Sequence, residues 1–160
     1  MDRRRLVLAA SSAAALSGSA TLAPHGALTQ AVRYSVLEYV GAMTIMLRTL
    51  DWVQQEASRL LAEQNREDEE WRIDVLAPFA AVEALREAGR TIVAPGRFAI
   101  AHARWFEAVD ELVAAGLLLR TGVLDDNDRS LALAARSLDR ARLLLDEVDA
   151  FLPRRVRLPT

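Results

Sequence analysis

Very few side chains in this sequence are equipped for chemistry. There are two histidines. His25 lies in a Pro24-His25-Gly26 segment, and His102 is the one polar interruption of an otherwise apolar stripe. An imidazole near neutral pH can ligate a metal, hold haem iron or act as a base. A metal site built on helices needs partners one turn away, as in Glu-x-x-His or His-x-x-x-His, and neither spacing occurs around His102. A haem-type site would set His102 against Met43 or Met46 from another helix, although a methionine on a helical stripe ordinarily fills a core. The reading favoured by the residues is structural: a half-buried His102 that donates to a backbone carbonyl near the connector before its helix.

The other candidates lack parts. Asp125-Asp126-Asn127-Asp128 offers the oxygens of a calcium loop but not its glycine at the sixth position or its glutamate at the twelfth. Helix capping accounts for it. No Gly-x-Ser-x-Gly accompanies the serines. Cysteine is absent, and all 20 basic residues are arginine. Thiol catalysis, thiolate metal sites, Schiff-base chemistry and a lysine-bearing phosphate loop are therefore excluded. The sequence predicts a protein that is not an enzyme, with no catalytic, cofactor-binding or metal residues.

The elements that would position His102 are helical. Alanine and leucine dominate, while glycine (7) and proline (5) are scarce in 160 residues. Apolar spacings of three and four predict a first helix from Leu28 to Gln64, with a stripe Val32, Val36, Tyr39, Met43, Met46, Leu50, Val53, Ala57 and Leu60. Asn65 and the acids that follow read as a cap and first turn for a second helix, about Glu69 to Ala88. Pro78 should kink or restart that helix, and Gly89 should stop it. An extended connector, Thr91 to Ala94, leads to Pro95 at the start of a third helix, which Thr121-Gly122 ends. Asp125 or Asp126 caps a fourth, whose stripe runs from Leu131 to Leu152 until Pro153 stops it. Short loops make neighbouring helices antiparallel. The predicted fold is all-α: an up-down-up-down four-helix bundle over 27–153, without strands, followed by a basic tail, 154–160.

Residues 1–23 read as an address, the alternative being an alanine-rich N-terminal helix packed on the bundle. Arg3-Arg4-Arg5 precede an uncharged run from Leu6 to Ala23, in which alanine and serine outnumber leucine and valine. That is weak for a spanning helix and suits a cleavable export signal. Arg3-Arg4-Arg5-Leu6-Val7 resembles the twin-arginine signal, with Arg3 and Arg4 as the pair that its receptor reads and Asp2 where that class prefers Ser or Thr. An extracytoplasmic location follows, with membrane attachment only if the segment is kept as an anchor. A net charge of −2 gives no electrostatic case for nucleic acid.

From Ile92 to about Ala150 the chain also resembles a recurrent group of uncharacterised exported or membrane-attached bacterial helical-bundle proteins. The marks are Pro95, Phe98, His102 and Trp105, in a helix start of the form Pro-x-x-aromatic-x-x-x-His-x-x-aromatic, followed by Gly122 and Asp125-Asp126. Two prolines often stand at that start, where this chain has Ala94-Pro95. The resemblance implies export and a repeated structural job for His102, and no activity.

One face remains to be covered. Between Tyr39 and Leu47 the first helix carries no charge on any side. With the bundle taking Val36, Met43 and Met46, a second stripe of Leu37, Gly41, Ile45 and Trp52 is left. About 37 residues also make this helix roughly 55 Å long, against roughly 40 Å for the third and fourth. A homodimer or a docked partner helix is the expected use, the alternative being that the N-terminal stretch or a bent Pro78 segment of the same chain covers the face. The overall expectation is a non-catalytic binding or scaffolding protein of the cell envelope. A small-ligand carrier around His102 is the second reading.

Overall fold

The computed structural model of the protein describes residues 32–63 and 65–153. Arg3, Arg4 and the rest of the signal-like segment 1–23, His25 and the tail 154–160 lie outside the described residues. The described chain is mostly helical, in the order β1 (Val32–Arg33), α1 (Val36–Glu63), α2 (Glu69–Asp74), α3 (Ala80–Arg90), β2 (Ile92–Val93), α4 (Ala99–Leu124) and α5 (Asp128–Phe151). One-turn 3-10 segments at Ala77–Phe79 and Gly96–Phe98 lead into α3 and α4.

The first helix is shorter than expected. Its start is fixed by a reciprocal cap, in which Ser35 Oγ accepts from the Glu38 amide at 3.3 Å and Glu38 Oε2 accepts from the Ser35 amide at 2.8 Å. The two hydrogen bonds satisfy donors that a helix beginning further back would have used internally. Val32 and Arg33 are extended instead, and pair in parallel with Ile92 and Val93. This two-residue pairing corrects the strand-free expectation. It also removes the overhang, because 28 residues span only about 42 Å. Val36, expected in the core, is 39% exposed.

Three other boundaries move. Asp68, and not Asn65, caps α2, accepting from the Glu70 amide at 2.9 Å. Pro78 splits the predicted second helix as expected: α2 ends at Asp74, and a 3-10 turn containing Pro78 restarts the chain as α3. Gly122 does not end α4. The helix runs on to Leu124, and the Asn127 amide reaches back to the Gly122 carbonyl at 3.0 Å, with Asp126 in the left-handed region at φ 49°. Asn127 then caps α5 with its side chain on the Ser130 amide at 3.1 Å, the role expected of Asp125 or Asp126.

The core lies where α4 and α5 pack along their length, α1 packs mainly on α5, and α3 lies against α4. Every position of the predicted α5 stripe is buried, as is the α1 stripe from Tyr39 to Leu60. Two glycines let these helices approach. A Cβ on Gly122 would lie 2.4 Å from Leu131 Cδ2, and one on Gly116 would lie 2.9 Å from the Phe79 ring. At the α1–α2 corner, Trp71 Nε1 donates to the Leu60 carbonyl at 2.8 Å, tying the short helix to the long one.

Candidate functional site

The β1–β2 pairing brings the first turns of α1 beside the connector that leads into α4, and there His102 meets Tyr39. Its Nδ1 lies 3.2 Å from the Tyr39 hydroxyl. The ring also makes a hydrogen bond to the Gly89 backbone at the end of α3. A carbonyl can only accept, so the ring nitrogen facing Gly89 carries the proton. The neutral tautomer that suits both partners has Nε2–H on Gly89 and accepts the Tyr39 proton at Nδ1. Burial holds the His102 pKa below its ordinary value, against an opposing pull from the Gly89 carbonyl. Burial also pushes Tyr39, fully enclosed, up to about 12. Both groups are therefore neutral at pH 7.

Aromatic rings close around this pair. Tyr39 stacks on Phe98 at 5.2 Å between centroids, His102 lies nearly parallel to Trp105 at 6.2 Å, and Phe106 sets its edge against both His102 and Trp105. Phe98, His102 and Trp105, spaced four and three apart on one helix face, thus form a single cluster with a tyrosine from another helix. Gly89 belongs to it for a reason other than helix termination. A Cβ there would stand 2.3 Å from Trp105 Cζ3 and 2.6 Å from Cη2, while α3 itself continues to Arg90. Met43 and Met46 are fully buried core residues.

The second candidate is the outer face of α1. Leu37 is 62% exposed and Ile45 43%, Gly41 is exposed with nothing within 4 Å of where a Cβ would sit, and Trp52 is half-buried against the core edge. Thr44 and Thr49 beside them turn their hydroxyls onto their own helix, to the carbonyls of Val40 at 2.7 Å and Ile45 at 3.0 Å. The face therefore presents methyl groups and makes little demand for hydrogen bonds.

No family model, curated protein or solved structure matches this chain.

A groove of about 250 Å³ between α1 and α5 is lined by Leu47, Arg48, Asp51, Leu145, Asp146 and Asp149. Among the described residues no group of three histidine, cysteine, aspartate or glutamate side chains could hold a metal ion, and no helix is long and apolar enough to cross a membrane.

Two residues were not singled out from the sequence. The Tyr39 hydroxyl had no signal beyond the rule that a buried tyrosine needs a partner. Arg66, in the α1–α2 loop, bridges Asp126 and Asp128 across the α4–α5 turn, a contact that depends on loop placement alone.

Proposed function

We propose that the protein is an exported, non-catalytic helical-bundle protein that binds or scaffolds a partner at the cell envelope, its four longer helical units running up-down-up-down. The observation that carries the reading is the outer face of α1, where Leu37, Gly41 and Ile45 are exposed opposite the buried stripe Tyr39, Met43, Met46 and Leu50, with Glu38 and Arg48 as the charged residues at either end of that patch. Between Tyr39 and Leu47 no charged residue stands on the helix, where a solvent-facing side ordinarily carries one each turn. The state of His102 supports the same reading: its ring is engaged by Tyr39 and Gly89, which suits a structural pin better than a ligand or a base. The carrier reading needs a free ring nitrogen, and absorption by protein purified from its host tests it directly, since a Soret band would replace the scaffold with a haem carrier.

Export rests on the arginine pair. Changing Arg3 and Arg4 together to lysine should hold the protein in the cytoplasm, because the twin-arginine receptor reads guanidinium groups and not charge alone. Cell fractionation checks this. Undiminished export of the double variant would assign the segment to the general secretory route, and a wild-type protein found wholly in the cytoplasm would remove export from the proposal.

A further inference from the structure

Residues 32–40 are held to the rest of the protein by few groups. Ser35, Val36, Leu37 and Glu38 are exposed, and the Ser35–Glu38 cap is internal to the segment. What reaches inward is the two-residue pairing of β1 with β2, the partly buried Tyr34, and the buried side chains of Tyr39 and Val40. Beyond them α1 is fixed by its buried Met43, Met46 and Leu50, and it packs mainly on α5 and only lightly on α4. The helix is weakest at the junction of these two parts. Gly41 has no side chain to pack or to restrict its backbone, so a helix holds it less firmly than it would hold alanine. Thr44 turns its hydroxyl onto the Val40 carbonyl at 2.7 Å, in competition with the helical hydrogen bond to the same oxygen, an arrangement that loosens and bends helices.

We infer that residues 32–40 form a flap, hinged at Gly41, which a proton on His102 releases from the bundle while α4 and α5 stay folded. The latch is the Tyr39 hydroxyl on His102 Nδ1 at 3.2 Å. With Nε2–H on the Gly89 carbonyl, both ring nitrogens of the neutral imidazole are engaged. His102 is only half-buried, so a proton from solvent reaches it. A second ring proton sits on Nδ1, and two donors then face each other. The enclosed Tyr39 hydroxyl must find its acceptor in water, which it reaches only by leaving the core. The surroundings offer the imidazolium no counter-charge. From α1 comes the neutral Tyr39, and from α3 the Gly89 carbonyl, with Arg90 beside it bound to Glu87. From α4 come Trp105 and Phe106, with Arg97 over the Phe98 ring and Arg104 bound to Glu107 and to Glu147 of α5. No carboxylate pairs with His102 among the described residues. Glu38, on the flap itself, is held below the usual carboxylate range by its hydrogen bonds with Ser35, so it keeps its charge where histidine titrates. Release parts β1 from β2 and uncovers the Phe98 ring on which Tyr39 stacks. The acid form thus presents, at the leading end of α4, an aromatic surface that the neutral form buries.

Amide hydrogen exchange on the full chain, followed residue by residue from pH 7.5 to 5 and corrected for the intrinsic pH dependence of exchange, tests this. The informative amides are those of β1 and β2 and those of residues 41–44, whose helical carbonyl partners lie at 37–40, across the hinge. As pH falls below the ordinary histidine value, their protection should drop about tenfold relative to that of Leu112 and Leu138 in the cores of α4 and α5. In His102→Gln that drop should be absent. Gly41→Ala leaves the titrating pair untouched and has room for its methyl group, and it should slow opening about fivefold at each pH. The wild-type contrast and the alanine variant decide the matter even if His102→Gln does not fold. Equal loss at Leu112 and Leu138 would mean that acid unfolds the whole molecule. Local loss that survives in His102→Gln would place the titration on another group, and opening unchanged in Gly41→Ala would remove the hinge. Each of these, like protection that does not change with pH, would overturn the proposal.

Discussion

The two ends of α4 are held by different physics. At the leading end, Phe98, His102 and Trp105 are packed against Tyr39 and the bare backbone of Gly89, and each polar group of the His102–Tyr39 pair has its partner inside the protein. At the trailing end a left-handed Asp126, the Asn127 cap and the exposed bridges from Arg66 make the turn, with water available to every group that loses a contact. Buried contacts leave no alternative partner, so an altered atom costs its full desolvation or its full volume. Exposed contacts are replaced by water and salt. The ranking of substitutions should follow this division and not the number of hydrogen bonds at each end.

The largest effect belongs to Gly89. An added methyl group would sit 2.3 Å from Trp105 Cζ3, and the indole has Phe106 and His102 on its other sides, so it has little room to retreat. Gly89→Ala should therefore destabilise the fold by about 3 kcal/mol despite alanine's better helix propensity, measured by urea unfolding. A neutral result would mean that the indole can turn away, and that the leading end is looser than its packing implies.

His102 comes next. Leucine would fill the space but strand the buried Tyr39 hydroxyl and remove the donor to Gly89, at a cost of about 1–3 kcal/mol. Glutamine keeps one donor and one acceptor of similar reach and should cost less than half as much. If the two variants were equally destabilised, ring stacking and not hydrogen bonding would be what His102 contributes.

The same pair sets a pH dependence. Protonating His102 turns Nδ1 into a donor, which leaves the enclosed Tyr39 hydroxyl without an acceptor, and burial already disfavours the charge. The folded state therefore binds the proton more weakly than the unfolded chain, whose histidine titrates near 6.5. The stabilisation is complete above that value and is lost as pH falls from it towards the depressed folded pKa. Unfolding curves at pH 7.5 and 5 should show the drop in wild type, and a smaller one in His102→Gln. Equal drops in both would place the titration elsewhere.

How much of this could be read from the sequence depended on whether a feature repeats. The α5 stripe from Leu131 to Leu152 and the α1 stripe from Tyr39 to Leu60 are periodic, and both are buried as read. Helix ends are decided by single hydrogen bonds, and periodicity runs through them: Val32 and Val36 keep the apolar spacing of α1, yet the Ser35–Glu38 cap starts the helix between them. That cap has the S-x-x-E form and was legible. The roles of Gly89 and Gly122 were not. A glycine near a helix end looks like a stop, and only the neighbouring helix shows that it is a point of close approach. For His102, a backbone partner near the connector could be anticipated, whereas Tyr39, 63 residues away, could not be paired with it before the fold was known.

The smallest effect should be at Asp126, and there the sign depends on salt. Its φ of 49° suits glycine, and an aspartate held there costs on the order of 1 kcal/mol. Asp126→Gly removes that strain but frees the unfolded chain and deletes one of the two carboxylates that face Arg66. The bridge is exposed on the aspartate side, which limits it to under about 1 kcal/mol and makes it sensitive to screening. Asp126 also stands between the negative end of α4 and the positive end of α5, so the helix dipoles largely cancel at its carboxylate. At low ionic strength the variant should match wild type within about 0.5 kcal/mol, while in 1 M salt, where the Debye length is about 3 Å, it should be the more stable of the two. Denaturation at both salt concentrations measures the crossing. A glycine variant that stays weaker than wild type in high salt would show that Asp126 holds the turn through the backbone and not through Arg66, and the trailing end of α4 would then be as exacting as the leading one.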